Sequence, residues 1–127
     1  MMNMNLQLTR MYAMLIGGLA VIGIFVHGHL LEIMNTDIAL DVIRIALAVY
    51  LLNVGFVQKS AEAANMALSL VGVLYVGMGV LGLITPTLGG LLPAGLTGFD
   101  IVFHIATGAL ALGAAINGYR HTSAARQ

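Results

Sequence analysis

The chain has 127 residues, 60% of them hydrophobic and 8% charged, with a mean hydropathy of +1.00 and a formal net charge of +0. A soluble domain carries about 25% charged residues, so this chain lacks the polar surface to coat a water-soluble globule, and the bilayer is its natural solvent. Five basic residues balance five acidic ones and there is no cysteine, which excludes a basic field for nucleic acid, disulfides, thiolate metal sites, covalently attached c-type haem and cysteine nucleophiles.

In chain order, Arg10 precedes an apolar run from Met11 to Val26. No small-x-small cleavage site follows, because the run ends in "HGHLLE" at 27–32. It therefore reads as a retained first span over 11–31 and not as a removed signal. The connection "EIMNTD" leads to a second span over 38–57, and "QKSAE" to a third over 63–84. The longer "TPTLGGLLPAGLTG", which holds Pro86 and Pro93, leads to a fourth over 99–117. Each run is near the roughly 20 residues that cross a hydrocarbon core. The expected fold is all-α: one integral membrane domain, a bundle of four helices. Arg10, Lys59, Arg120 and Arg126 lie outside the spans on one side. By the positive-inside rule both termini are then cytoplasmic and the protein sits in the inner (plasma) membrane. Arg44, inside the second span, is the exception.

The two halves resemble each other. "GLAVIGIFVHG" at 18–28 and "GVLYVGMGVLG" at 72–82 carry glycine at the same spacing, so Gly18, Gly23 and Gly28 match Gly72, Gly77 and Gly82, and Ala13 matches Ala67. Farther on, "IRIALA" at 43–48 lies over "FHIATG" at 103–108, which sets Arg44 on His104. Two spans per repeat imply two parallel repeats about a pseudo-twofold axis along the membrane normal. Helices in lipid associate where small residues permit close approach. Gly18, Gly23, Gly72, Gly77, Gly108 and Gly113 are accordingly expected at helix contacts. So are the pairs Ala13 with Gly17, Ala109 with Gly113 and Ala114 with Gly118, chiefly as packing within the bundle.

Most ionisable groups fall toward one leaflet: His27, His29 and Glu32, then Asp37, Asp41 and Arg44, then Asp100 and His104. Asp100 and His104 are i,i+4 on one helix face, and Asp41 and Arg44 are i,i+3. Intramembrane ionisable groups usually face the bundle interior and pair. The expectation is a polar network of Asp41, Arg44, Asp100 and His104, with bonds from the fourth-span pair to span 1 or 2. The plainer readings are Asp100 as an N-cap or first-turn acid, His104 as a neutral imidazole bonded to a neighbouring helix, and Asp41–Arg44 as a structural pair. His27, His29, Glu32 and His104 are candidate ligands for a metal or haem b. However, His27 and His29 point 200° apart on a helix, and no His-x-x-x-His pair occurs, so no cofactor is the favoured expectation. No phosphate loop follows a strand and no Ser/His/Asp order stands out, which favours a non-enzymatic role.

The second half, "LSLVGVLYVGMGVLGLI" followed by "FDIVFHIATGALALGAA", resembles a family of small bacterial four-span membrane proteins of unknown function. Each half of that family joins a Gly-rich span to an Asn/Asp-x-x-x-His-x-x-x-Gly span. Asp100, His104 and Gly108 match the motif, whereas Arg44 stands in the place of the first-half His and Ala48 in the place of its Gly. The resemblance implies the fold and the membrane but no reaction. The expected function is a structural or accessory subunit of a membrane assembly, as a homo-oligomer or in a larger complex, with the lipid bilayer and other membrane subunits as partners and no nucleic acid. The alternatives are a haem-, metal- or proton-handling protein using His104, Asp100, His27 or His29, and, less favoured, a small-solute transporter.

Overall fold

A computed structural model of the chain describes residues 4–25, 29–30, 34–35, 38–90, 92 and 95–126. Four helices dominate it. They are α1 (Met4–Phe25), α2 (Ile38–Leu52), α3 (Ala61–Ile84) and α4 (Gly98–Arg126). Each, with α2 extended by the π-helical turn Asn53–Gln58, is long and apolar enough to cross a membrane. The fold is an all-α, four-helix membrane protein.

Three boundaries differ from the sequence expectation by more than two residues, one of them the end of α4, which runs on to Arg126 rather than 117. α1 begins at Met4 rather than 11, because Asn5 and Thr9 are satisfied inside the bundle and do not break the helix. Thr9 donates to the Asn5 carbonyl at 2.7 Å, and Asn5 bonds to two other helices. At the other end α1 stops at Phe25, and His29–Leu30 pairs with Met34–Asn35 as a minimal antiparallel ladder. His29 is thus outside the first helix.

Local signals explain the remaining ends. The π turn closes on Lys59, whose N–H reaches the Val54 carbonyl at 3.0 Å from a left-handed conformation. Ser60 then caps α3, its Oγ accepting from Ala63 N at 3.1 Å. After Ile84 the chain folds back on itself: Leu96 N donates to the Pro86 carbonyl at 2.8 Å, and Gly95, at φ +79°, closes a turn onto Leu92.

α1 packs along α2 and α3 along α4, and the two hairpins meet mainly through α1 and α3. Their seam is lined by small and branched residues such as Ala13, Ile16, Ala48, Ala67, Val71 and Ala111, all buried. Small side chains bring backbones close enough for dispersion to hold helices together in lipid. A second apolar cluster, Leu40, Met78, Leu92 and Leu96, lets the 85–97 loop seal one end of the bundle. Outward-facing side chains are large and apolar, Phe25 being 81% and Ile84 77% exposed. That surface suits acyl chains and not water.

Candidate functional site

The sealed end holds the buried charged groups Asp41, Arg44 and Asp100. α4 starts with a reciprocal cap. The Asp100 N–H donates to Thr97 Oγ at 3.0 Å, while Asp100 Oδ2 accepts from both the Thr97 N–H and the Thr97 hydroxyl at 3.1 Å. This is the capping-box geometry with aspartate at the third helical position. Asp100 is therefore a first-turn acid and Thr97 is the cap, in "TGFD". One turn on, His104 Nδ1 lies 2.6 Å from the Asp100 carbonyl. A carbonyl only accepts, so Nδ1 carries the proton. The His104 ring meets Tyr75 of α3 edge-on, with centroids 4.7 Å apart, and Phe103 at 5.9 Å.

From α2, Arg44 donates to Asp41 at 3.2 Å, and both are buried. Asp41 lies directly against α1 at Gly23, where an added Cβ would run into its carboxylate. The Arg44 charge is near enough to act on both Tyr75 and His104. Asp41, Arg44, Asp100 and His104 thus share one buried end of the bundle, contributed by α2 and α4, with Tyr75 of α3 against His104.

The bonding differs from expectation in one respect. His104 bonds back to its own helix and not across to span 1 or 2, because the Asp100 carbonyl one turn before it lies within reach of Nδ1. Its ring packs on Tyr75 of α3, and the Arg44 charge of α2 is near enough to act on it.

No family model, curated protein or solved structure matches this chain.

Of the remaining candidate ligands, His27, Glu32 and Asp37 lie outside the described residues, and His29 is placed by its backbone alone. Among the described residues, no three His, Asp or Glu side chains gather as a metal-binding set.

The opposite end carries a polar cluster that the sequence reading did not single out. Asn5 Nδ2 donates to Asn65 Oδ1 of α3 and to the Ala114 carbonyl of α4, each at 2.7 Å. Asn5, Thr9 and Asn65 are all buried. Beside them Arg10 Nε donates to the Gly55 carbonyl at 2.7 Å, and its guanidinium lies 5.0 Å from the centre of the Phe56 ring. An i→i+5 turn leaves carbonyls out of the α ladder, and Arg10 occupies one of them. The available signal was Asn5 with Thr9, and Asn65 with Ser69, each i,i+4 on one face. Hydropathy averaging erased it.

The glycines divide sharply. A Cβ at Gly108 would sit 2.7 Å from the Val76 nitrogen and 3.0 Å from the Gly72 carbonyl. Gly23, Gly72 and Gly118 are equally crowded, as expected, and so are Gly55, Gly79 and Gly82, which the sequence reading did not name as packing glycines. By contrast, nothing of this chain lies within 4 Å of a Cβ at Gly18, Gly77 or Gly113. Those three are not packing glycines of the bundle, because they lie on the outward side of their helices. Ala114 with Gly118 forms a helix contact and Ala109 with Gly113 does not. Glycines matched between the halves also differ: Gly18 is open where Gly72 is crowded, and Gly23 is crowded where Gly77 is open.

Proposed function

We propose that this chain is a non-enzymatic, structural or accessory subunit of a membrane assembly, either as a homo-oligomer or within a larger complex. The observation that carries the proposal is where the buried polar groups go. Asn5, Asn65, Asp41, Arg44, Asp100 and His104 all engage other groups of the same chain. Spent internally, they brace the helix ends, with Asn5 joining α1 to α3 and α4, and leave apolar helix backs as the working surface.

One back is patterned for association. Ile38, Val42, Ile45, Val49 and Leu52 of α2 are exposed and follow one another in alternate steps of four and three. This is the spacing of a knobs-into-holes seam, rich in β-branched residues. The orientation with cytoplasmic termini in a bacterial inner membrane, the two parallel repeats, and kinship with the four-span family through Asp100, His104 and Gly108 belong to the same proposal.

The test is the mass of the protein extracted in mild detergent. A homogeneous multiple of the 13.3 kDa chain, or a larger complex, is expected. Ile45→Ala combined with Val49→Ala should lower that mass while the helical circular dichroism persists, since both side chains face outward. A single-chain mass in detergent and in lipid nanodiscs would overturn the proposal.

A second reading, proton handling, rests on His104, buried against Tyr75 within the field of Arg44. Proton flux in proteoliposomes that His104→Gln abolishes would establish it instead.

A further inference from the structure

α1 and α4 do not close on each other along one stretch of the outer surface. Two hollows of about 560 and 300 Å³ share Leu8, Met11 and Leu110 and form one groove. It runs from Met4 and Asn117, at the end that carries Arg10 and Lys59, to Leu15 and Thr107 near the middle of the bundle. From 4 to 15 along α1 is about 16 Å at the helical rise. One leaflet of hydrocarbon is about 15 Å. The floor is recessed because Ala109 and Gly113 stand there, and nothing approaches a Cβ at Gly113 within 4 Å.

The groove is polar at one end only. Gln7 and Asn117 line that end and are exposed, and Arg120, also exposed, stands one turn past Asn117 where the apolar stretch of α4 stops. Beyond them the walls are almost wholly apolar. We infer that this groove binds one acyl chain of an anionic phospholipid, with the headgroup at Gln7, Asn117 and Arg120. The occupant follows from length, polarity and charge. A groove one leaflet deep fits a lipid tail, whereas a helix of a second copy crosses both leaflets and, at about 10 Å wide, would lose the groove halfway. The single cationic end matches a negative headgroup. The inference needs only the membrane fold and stands apart from the assembly proposal.

The full chain, delipidated in mild detergent and then given dioleoyl phosphatidylglycerol or dioleoyl phosphatidylcholine, provides the test by native mass spectrometry. One phosphatidylglycerol per chain is expected, retained about fivefold over phosphatidylcholine, as one arginine near the surface warrants. Gly113→Leu and, separately, Ala109→Leu should lower retention of both lipids about tenfold by filling the groove. Arg120→Gln should keep the adduct but remove the preference between headgroups. Thermal melting establishes that each variant is folded. Equal retention of the two lipids by the parent, or parent-like retention by both groove-filling variants, would overturn the inference. So would a dimer that Gly113→Leu dissolves, since that would assign the groove to a second copy.

Discussion

Arg44 is a guanidinium nearly two turns into a membrane helix, 3% exposed, with its acid partner Asp41 one turn away at 3.2 Å. The pair's worth lies in mutual dependence, because removing one partner strands the other in a low-dielectric interior. Arg44→Met should therefore destabilise the fold by about 3–5 kcal/mol, while Asp41→Leu combined with Arg44→Met should recover part of that loss. Unfolding in a detergent titration measures both, and a double variant as unstable as the sum of the singles would refute mutual dependence. At this scale the sequence was legible where spacing along one helix decides the contact. Asp41 with Arg44 and Asp100 with His104 follow from i,i+3 and i,i+4 geometry. The partner of His104 was less legible. A backbone carbonyl of its own first turn is chemically silent in the residue string, and the Tyr75 ring comes from a helix whose rotation the string does not display.

Glycine spacing illustrates the same divide among elements. Every glycine in the α1, α3 and α4 strings reads alike, yet Gly118 lies against Asn5 and Asn65 while Gly113 faces open space. Gly118→Ala should cost about 1–3 kcal/mol by forcing the three-helix junction apart. Gly113→Ala should be neutral or stabilising by up to about 1 kcal/mol, through the reduced chain entropy of the unfolded state and improved helix propensity. Thermal melting of the two variants side by side checks the contrast, and equal effects would refute the assignment of faces. Helix rotation sets this difference, and rotation depends on the partner helices. In a water-soluble bundle an apolar stripe against a polar back would reveal the rotation from sequence. Here the inside and the outside are both apolar, so no such stripe forms. The same uniformity hid the start of α1, where Asn5 and Thr9 resemble a polar leader and serve as interior groups. The four spans themselves were legible because hydropathy over 20 residues needs no knowledge of which face is buried.

For the molecule as a whole, the basic residues other than Arg44 gather at one end. Arg10, Lys59 and Arg120 flank the end where α1 starts, α2 meets α3 and the apolar stretch of α4 finishes. Arg10 is bonded to the π turn, so its guanidinium also holds a helix contact. A reporter fused after Gln127 should be active in the cytosol and inactive outside it, as the positive-inside rule requires. Activity confined to the outer side would reverse the orientation and place Arg120 in the other leaflet. The bundle was legible in outline because four apolar runs joined by short connections admit few arrangements. The pairing of hairpins through α1 and α3 was not, since apolar helices in lipid discriminate partners by close-packed detail.

The junction of Asn5 with Asn65 and the Ala114 carbonyl also imposes an order in time. Its donor and its last acceptor are separated by 109 residues. At about 5–20 residues per second of synthesis, the interval between their emergence is roughly 5–20 s. During that interval the first hairpin already sits in the membrane with an amide whose final partners have yet to be made. Completion of the junction therefore marks the arrival of the fourth helix, and a truncated chain ending before α4 would carry an unanswered donor in lipid, the kind of defect by which membrane quality control can tell an unfinished protein from a finished one.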